Sequence, residues 1–161
     1  MRKNKSVRFL TESAMIAALY AALTLVTGQF SVSAIQLRLS EALTILPVFT
    51  PCAVPGLAVG CLAANLLSSC APLDTVIGTA VTLTAAILTR LLKKMPLPAV
   101  LPPVLLNAAV LPLIFLFVYR LEGTYLFFFG TTLLSEALTA GLLGLLLFRV
   151  LDRYRDRLFD S

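Results

Sequence analysis

Two glutamates, Glu41 and Glu136, sit in copies of one hexapeptide, Leu-Ser-Glu-Ala-Leu-Thr, at positions 39–44 and 134–139 of a chain with only 8 acidic residues. A carboxylate set among apolar residues can accept paired N–H donors, hold an ammonium or carry a proton. Polar neighbours extend the set: Gln36 and Arg38 just before the first copy, and Asn65, Asp74 and Asn107 within or beside other apolar runs. Amides, carboxylates and one guanidinium converging on one place suit a small molecule rich in hydrogen-bonding groups.

Each residue also has a plain structural reading. Asp74 can cap a helix, Asn65 and Asn107 can bond between helices, and Arg38 can snorkel to an interface. Glu41 can complement a helix start, with Ser40 capping the same end, and Glu136 can be a protonated, hydrogen-bonded link between helices. The chemistry that is missing narrows the choice further. The chain has no histidine, no phosphate-binding loop of the GxxxxGK[ST] type and no cysteines at metal-ligand spacing. Zinc chemistry, histidine acid–base work and nucleotide hydrolysis by this chain are unsupported. Ser40 and Ser135 beside glutamates lack the base and orienting group of a nucleophilic site. The sequence gives no catalytic residue, no metal ligand and no enzyme. Cys52, Cys61 and Cys70 read as small buried packers.

The elements that must position these groups follow from composition. The 161 residues are 59% hydrophobic and 13% charged, with a mean hydropathy of +0.96. Soluble domains carry roughly 25% charged residues, so the expectation is an all-α integral membrane protein. A bilayer core of about 30 Å takes about 20 apolar residues per helix, leaving room for a compact bundle of six transmembrane helices with tight connections. Apolar runs and breakers place them near 11–27, 39–50, 55–69, 74–92, 97–119 and 125–150. The second and third are short, and the PVFTPCAVPG stretch between them predicts a bent hairpin. The basic start and apolar first run have the outline of a signal peptide, but the alanines of that run favour a retained span.

Arg2, Lys3, Lys5, Arg8, Arg90, Lys93, Lys94, Arg149, Arg153, Arg155 and Arg157 fall at one set of span ends, with only Arg38 and Arg120 at the other. By the positive-inside rule both termini are cytoplasmic. The reading is one transmembrane domain over 1–161, with a basic cytoplasmic N-terminus at 1–10 and a charged cytoplasmic tail at 151–161. The net charge of +5 is then a matter of lipid headgroups, not nucleic acid. Glu41 lies near the outer start of its span. Glu136 lies eleven positions past Tyr125, roughly 16 Å down at 1.5 Å per residue, close to midplane. There a charge costs about 2.5–3.5 kcal/mol on insertion scales, so Glu136 must face the bundle interior or a wet cavity. On the first span Ala14, Ala18 and Ala22 recur every fourth residue, with Ala17 and Ala21 beside them. Such a stripe lets helices approach closely, within this bundle or against another membrane subunit.

The run IQLRLSEALTILPVFTPCAVPGLAVGCLAANLLS, followed by LDTVIGTAVTLTAA, resembles the QueT family, the queuosine-precursor substrate-binding subunits (S-components) of energy-coupling factor transporters. The likeness is densest over 36–86, and Arg38 and Glu41 fall on the family's pattern. It implies a bacterial cytoplasmic-membrane protein that captures its ligand outside and docks through the alanine stripe on a transmembrane coupling subunit. Two cytoplasmic ATPase subunits hydrolyse ATP, so the chain itself needs no cofactor. The implied ligand is a 7-deazaguanine such as queuine or its aminomethyl precursor base. Its paired N–H donors and its amine would divide between Glu41 and Glu136. Gln36, Asn65 and Asn107 would complete the base edge, Arg38 would close over it, and Phe30, Phe49 or Tyr125 would stack. Another vitamin or nucleobase on the same scaffold, a stand-alone proton-coupled carrier and a non-transporting assembly subunit are the competing readings.

Overall fold

The structure, a computed structural model, describes residues 2–28 and 38–155. Its elements are α1 (Arg2–Gly28), a 3-10 helix (Leu39–Val48), α2 (Ala53–Leu67), α3 (Pro72–Leu91), α4 (Pro96–Ala99), α5 (Leu101–Phe117), α6 (Tyr125–Glu136), a π-helical stretch (Ala137–Leu143) and α7 (Gly144–Arg153). No strand occurs among the described residues. Four stretches, Lys5–Gly28, Pro72–Leu91, Pro96–Phe117 and Tyr125–Arg153, are long and apolar enough to cross a membrane. The last two join neighbouring elements into one rod each. Prolines stand in the first turns of α3, α4 and α5, where the missing N–H costs nothing.

The six apolar runs read from the sequence all appear as helices, with ends shifted by a few residues. The second is a 3-10 helix rather than an α-helix, and with 10 residues it falls short of the span length. At about 2.0 Å per residue it nonetheless extends roughly 20 Å, a third further than an α-helix of equal length. Apart from Leu39 and Ala42 all of it is buried, and it threads the middle of the bundle. Its far end is held by Arg90, whose Nη1 donates to the carbonyls of Pro47 and Val48 at 2.9 and 3.1 Å. Those carbonyls would otherwise be orphaned at a helix terminus.

α1 and α2 pack backbone to backbone. A Cβ built on Gly56 would stand 2.9 Å from the Ser13 carbonyl oxygen, and one on Gly60 would stand 2.8 Å from that of Ala17. Gly56 and Gly60 form a G-xxx-G pair whose absent side chains allow this approach. The Ser13 hydroxyl adds a bond to the Cys52 carbonyl at 3.0 Å. One apolar cluster, built on Tyr20, Leu43, Leu46, Leu57 and Cys61, fixes the 3-10 helix against this pair. Another, of Leu111, Ile114, Phe115 and Phe128, joins α5 to α6. The carboxylates lie between these two apolar blocks.

Candidate binding site in the bundle core

Each acidic residue is carried by a helix with a departure from α geometry. Glu41 is in the first turn of the 3-10 helix, and Glu136 is the last residue of α6 before the π-helical stretch. Extended 3-10 runs and π-bulges are uncommon and recur at functional sites because they re-aim side chains. Both glutamates are buried, Glu41 2% and Glu136 4% exposed.

Asn107, midway along α5, ties them together. Its Nδ2 donates to Glu136 Oε1 at 2.9 Å and, more weakly, to Glu41 Oε2 at 3.4 Å. The other Glu41 oxygen accepts from the Tyr20 hydroxyl at 2.6 Å. The remaining one, Glu136 Oε2, is buried without a hydrogen-bond partner. An unmet buried acceptor costs about 1–3 kcal/mol, more when charged. Glu136 lines a narrow cavity with Arg38, Leu111, Phe115 and Thr132, whose centre, about 10 Å³, admits roughly one water molecule. Arg38 interacts electrostatically with Glu41, Glu136 and Asp74, placing one positive charge among three acidic groups. Beside Glu41, Ser40 accepts from the Thr24 hydroxyl at 2.7 Å, so α1 grips the start of the 3-10 helix at two points.

A second polar cluster lies between α2 and α3. Asn65 Nδ2 reaches Cys61 Sγ at 3.7 Å, and the Thr82 hydroxyl donates to the same sulfur at 3.3 Å. A Cβ on Gly78 would come within 3.3 Å of the Asn65 amide and 3.6 Å of Asp74 Oδ1. Asp74 Oδ2 accepts from the Tyr119 hydroxyl at 2.6 Å, and that hydroxyl accepts from the Ala71 N–H. Burial, reinforced by this carboxylate, pushes the Tyr119 phenol well above its usual range. It also pushes the Cys70 thiol up, with Asp74 adding to the effect.

Of the residues predicted from sequence, Glu41, Asn107 and Glu136 meet directly and Arg38 joins them across the cavity. Asn65 stands in the adjacent cluster, and Gln36 and Phe30 lie outside the described residues. Although Glu41 and Glu136 stand on different helices, one amide nitrogen reaches both carboxylates. Asp74 is not an N-cap: Ala71 holds that position, and Asp74, in the first turn, spends its side chain on Tyr119. Phe49 does not line the cavity; its ring packs, tilted by 31°, against Phe148 at 5.2 Å between centroids. Tyr125 also misses it, donating to the Ala109 carbonyl and stacking on Phe129. The aromatic ring at the cavity is Phe115. The reading from sequence missed Tyr20, although a tyrosine deep in an apolar helix must find a partner for its hydroxyl.

A family model described as QueT transporter matches residues 10–153. The chain belongs to the QueT transporter family. No match was found among curated proteins or among solved structures. The match takes in every site residue described above, and with the four long apolar helices it makes this QueT member a membrane protein of a transporter family.

Proposed function

We propose that this QueT protein is the substrate-binding S-component of an energy-coupling factor transporter, and that its core cavity takes a cationic 7-deazaguanine from outside the cell. The observation that carries this reading is the pair of buried carboxylates sharing Asn107, one with an oxygen left unmatched beside a cavity. A guanine-like edge offers two adjacent N–H donors to one carboxylate, and an aminomethyl group offers an ammonium to the other. Asn65, Asn107 and Gln36 complete the polar contacts. Phe115 and Leu111 provide an apolar face. Arg38, which lines the cavity, closes over the bound base. A bicyclic base exceeds the room present, so capture separates the Arg38 wall from α5 and α6.

In this reading the chain is one domain of six membrane-embedded helices with both termini in the cytoplasm of a bacterial cell. It holds no cofactor. Transport draws on a transmembrane coupling subunit and two ATPase subunits. The docking face is Ala14, Ala18 and Ala22, which are exposed on α1, whereas Ala17 and Ala21 are buried within the bundle. Beside Ala14 runs an apolar groove of about 200 Å³ between α1 and α2, lined by Phe9, Leu10, Ser13, Pro55 and Val59 among others.

The test is equilibrium binding to the purified chain. The aminomethyl deazaguanine should bind, and adenine should bind far more weakly, because it leaves a carboxylate oxygen unpaired. Glu136→Gln and Glu41→Gln should each weaken the deazaguanine by about tenfold or more. Equal affinity for both bases, or full affinity in both variants, would sink the two-carboxylate site. The unmatched Glu136 oxygen also favours a second reading, a proton-coupled carrier. That reading requires uptake into liposomes by this chain alone under a proton gradient.

A further inference from the structure

A second cavity, of about 470 Å³, opens at the opposite end of the bundle from the Asp74–Tyr119 cluster, where α3 turns into α4 and α7 ends. Arg90, Lys93, Lys94 and Arg155 line it together with Phe49 and Phe148, and no acidic residue does. Nearby Asp152 offsets part of one charge, at 4.0 Å from Arg155. Arg90 spends two of its donors on the carbonyls of the 3-10 helix. Among the described residues Lys93 and Lys94 take part in no ion pair. Electrostatic repulsion alone would spread these side chains over the surface. Here they frame a concave space with the tilted, packed rings of Phe49 and Phe148 as its apolar floor.

We propose that this cavity is a binding site for a phosphate-bearing anion, with the phosphate between Lys93, Lys94 and Arg155. Cationic rims over an apolar floor at a helix-bundle end fit the phosphodiester and glycerol of an anionic phospholipid, since the ammoniums and guanidinium meet the phosphate while the rings meet the first methylenes. By the distribution of cations along the chain this is the cytoplasmic end, where anionic headgroups concentrate. Free phosphate offers the same charge without the apolar part. An acidic segment of a partner protein would match the rim but leave the aromatic floor unused.

The full chain, purified in maltoside micelles, is titrated with phosphatidylglycerol, phosphatidylcholine and inorganic phosphate, and bound ligand is counted by native mass spectrometry. Phosphatidylglycerol should be retained and phosphatidylcholine should not. Lys93→Gln with Lys94→Gln should weaken retention roughly twenty-five-fold, each surface cation contributing about fivefold. Arg149→Gln with Arg153→Gln removes equal charge from exposed positions outside the cavity and should leave retention nearly unchanged. Inorganic phosphate binding that disappears in the Lys93/Lys94 variant supports the site and assigns its ligand as the free anion. Equal loss in both double variants, no loss in the first, or no anion bound by the unaltered chain overturns the proposal.

Discussion

Replacing Tyr20 by Phe removes one oxygen and nothing else, which makes it the sharpest probe of the core site. The ring stays in its apolar cluster, so no cavity of consequence forms. What is lost is a 2.6 Å bond between a hydroxyl and a carboxylate oxygen of residues 1% and 2% exposed. Hydrogen bonds to charged groups contribute about 1.5–3 kcal/mol, and the bond here is short and buried. For a chain of this size, at about 2–4 °C per kcal/mol, that corresponds to about 3–12 °C in the thermal midpoint. The assay is thermal unfolding of the purified chain as a double-mutant cycle with Glu41→Leu. If Tyr20 acts through Glu41, the second Tyr20 substitution should cost little once Glu41 is gone, giving a coupling of about 1.5–3 kcal/mol. A midpoint within about 1 °C of the parent for Tyr20→Phe, or additive single effects, would refute the reasoning.

Further outcomes follow from other contacts. Asn107→Leu keeps the volume but removes the donor shared by Glu41 and Glu136, and should cost about 2–3 kcal/mol, measured by the same unfolding assay. Gly60→Val drives a methyl-bearing carbon to within 2.8 Å of the Ala17 carbonyl oxygen, and should destabilise the α1–α2 pair by about 1–3 kcal/mol or more. Gly130→Ala meets nothing within 4 Å on α6 and should be stabilising by about 0.5–1 kcal/mol, which separates crowding from a general effect of losing glycine. Burial and Asp74 raise the Cys70 thiol, so at neutral pH its thiolate fraction is below that of a free cysteine. Maleimide labelling of a variant retaining only Cys70 should be slow at pH 7 and quicken as pH rises; a rate already equal to free cysteine at pH 7 contradicts the assignment.

Much of the fold was legible because hydrophobic runs of membrane length have few alternatives. Glu136 and Asn107 stood out for the same reason: polar groups in such runs must be met by something. Other features were hidden by the scale on which they are decided. Nothing in residues 39–48 distinguishes a 3-10 from an α-helix locally; burial on almost every side and Arg90 at its end accompany the tighter winding. The meeting of the Glu41 and Glu136 carboxylates at Asn107 depended on that geometry. Tyr20 and the Gly56–Gly60 pair were visible as residues but not as partners, since facing helices are set by packing rather than by either sequence alone. Phe49 was assigned to a base because aromatic rings look alike in sequence, whereas its place beside Phe148 follows from where the proline-rich turn ends.

The close seating of α1 on α2 leaves α1 with two distinct sides. One side turns Ala18 and Ala22 outward, while Tyr20, between them in sequence, grips Glu41 on the other. If the proposed reading holds, a guest that draws Glu41 toward itself pulls on the same helix that a coupling subunit would grasp. Linkage then demands symmetry: however much occupancy of the interior favours that grasp, the grasp must favour or disfavour occupancy by the same factor.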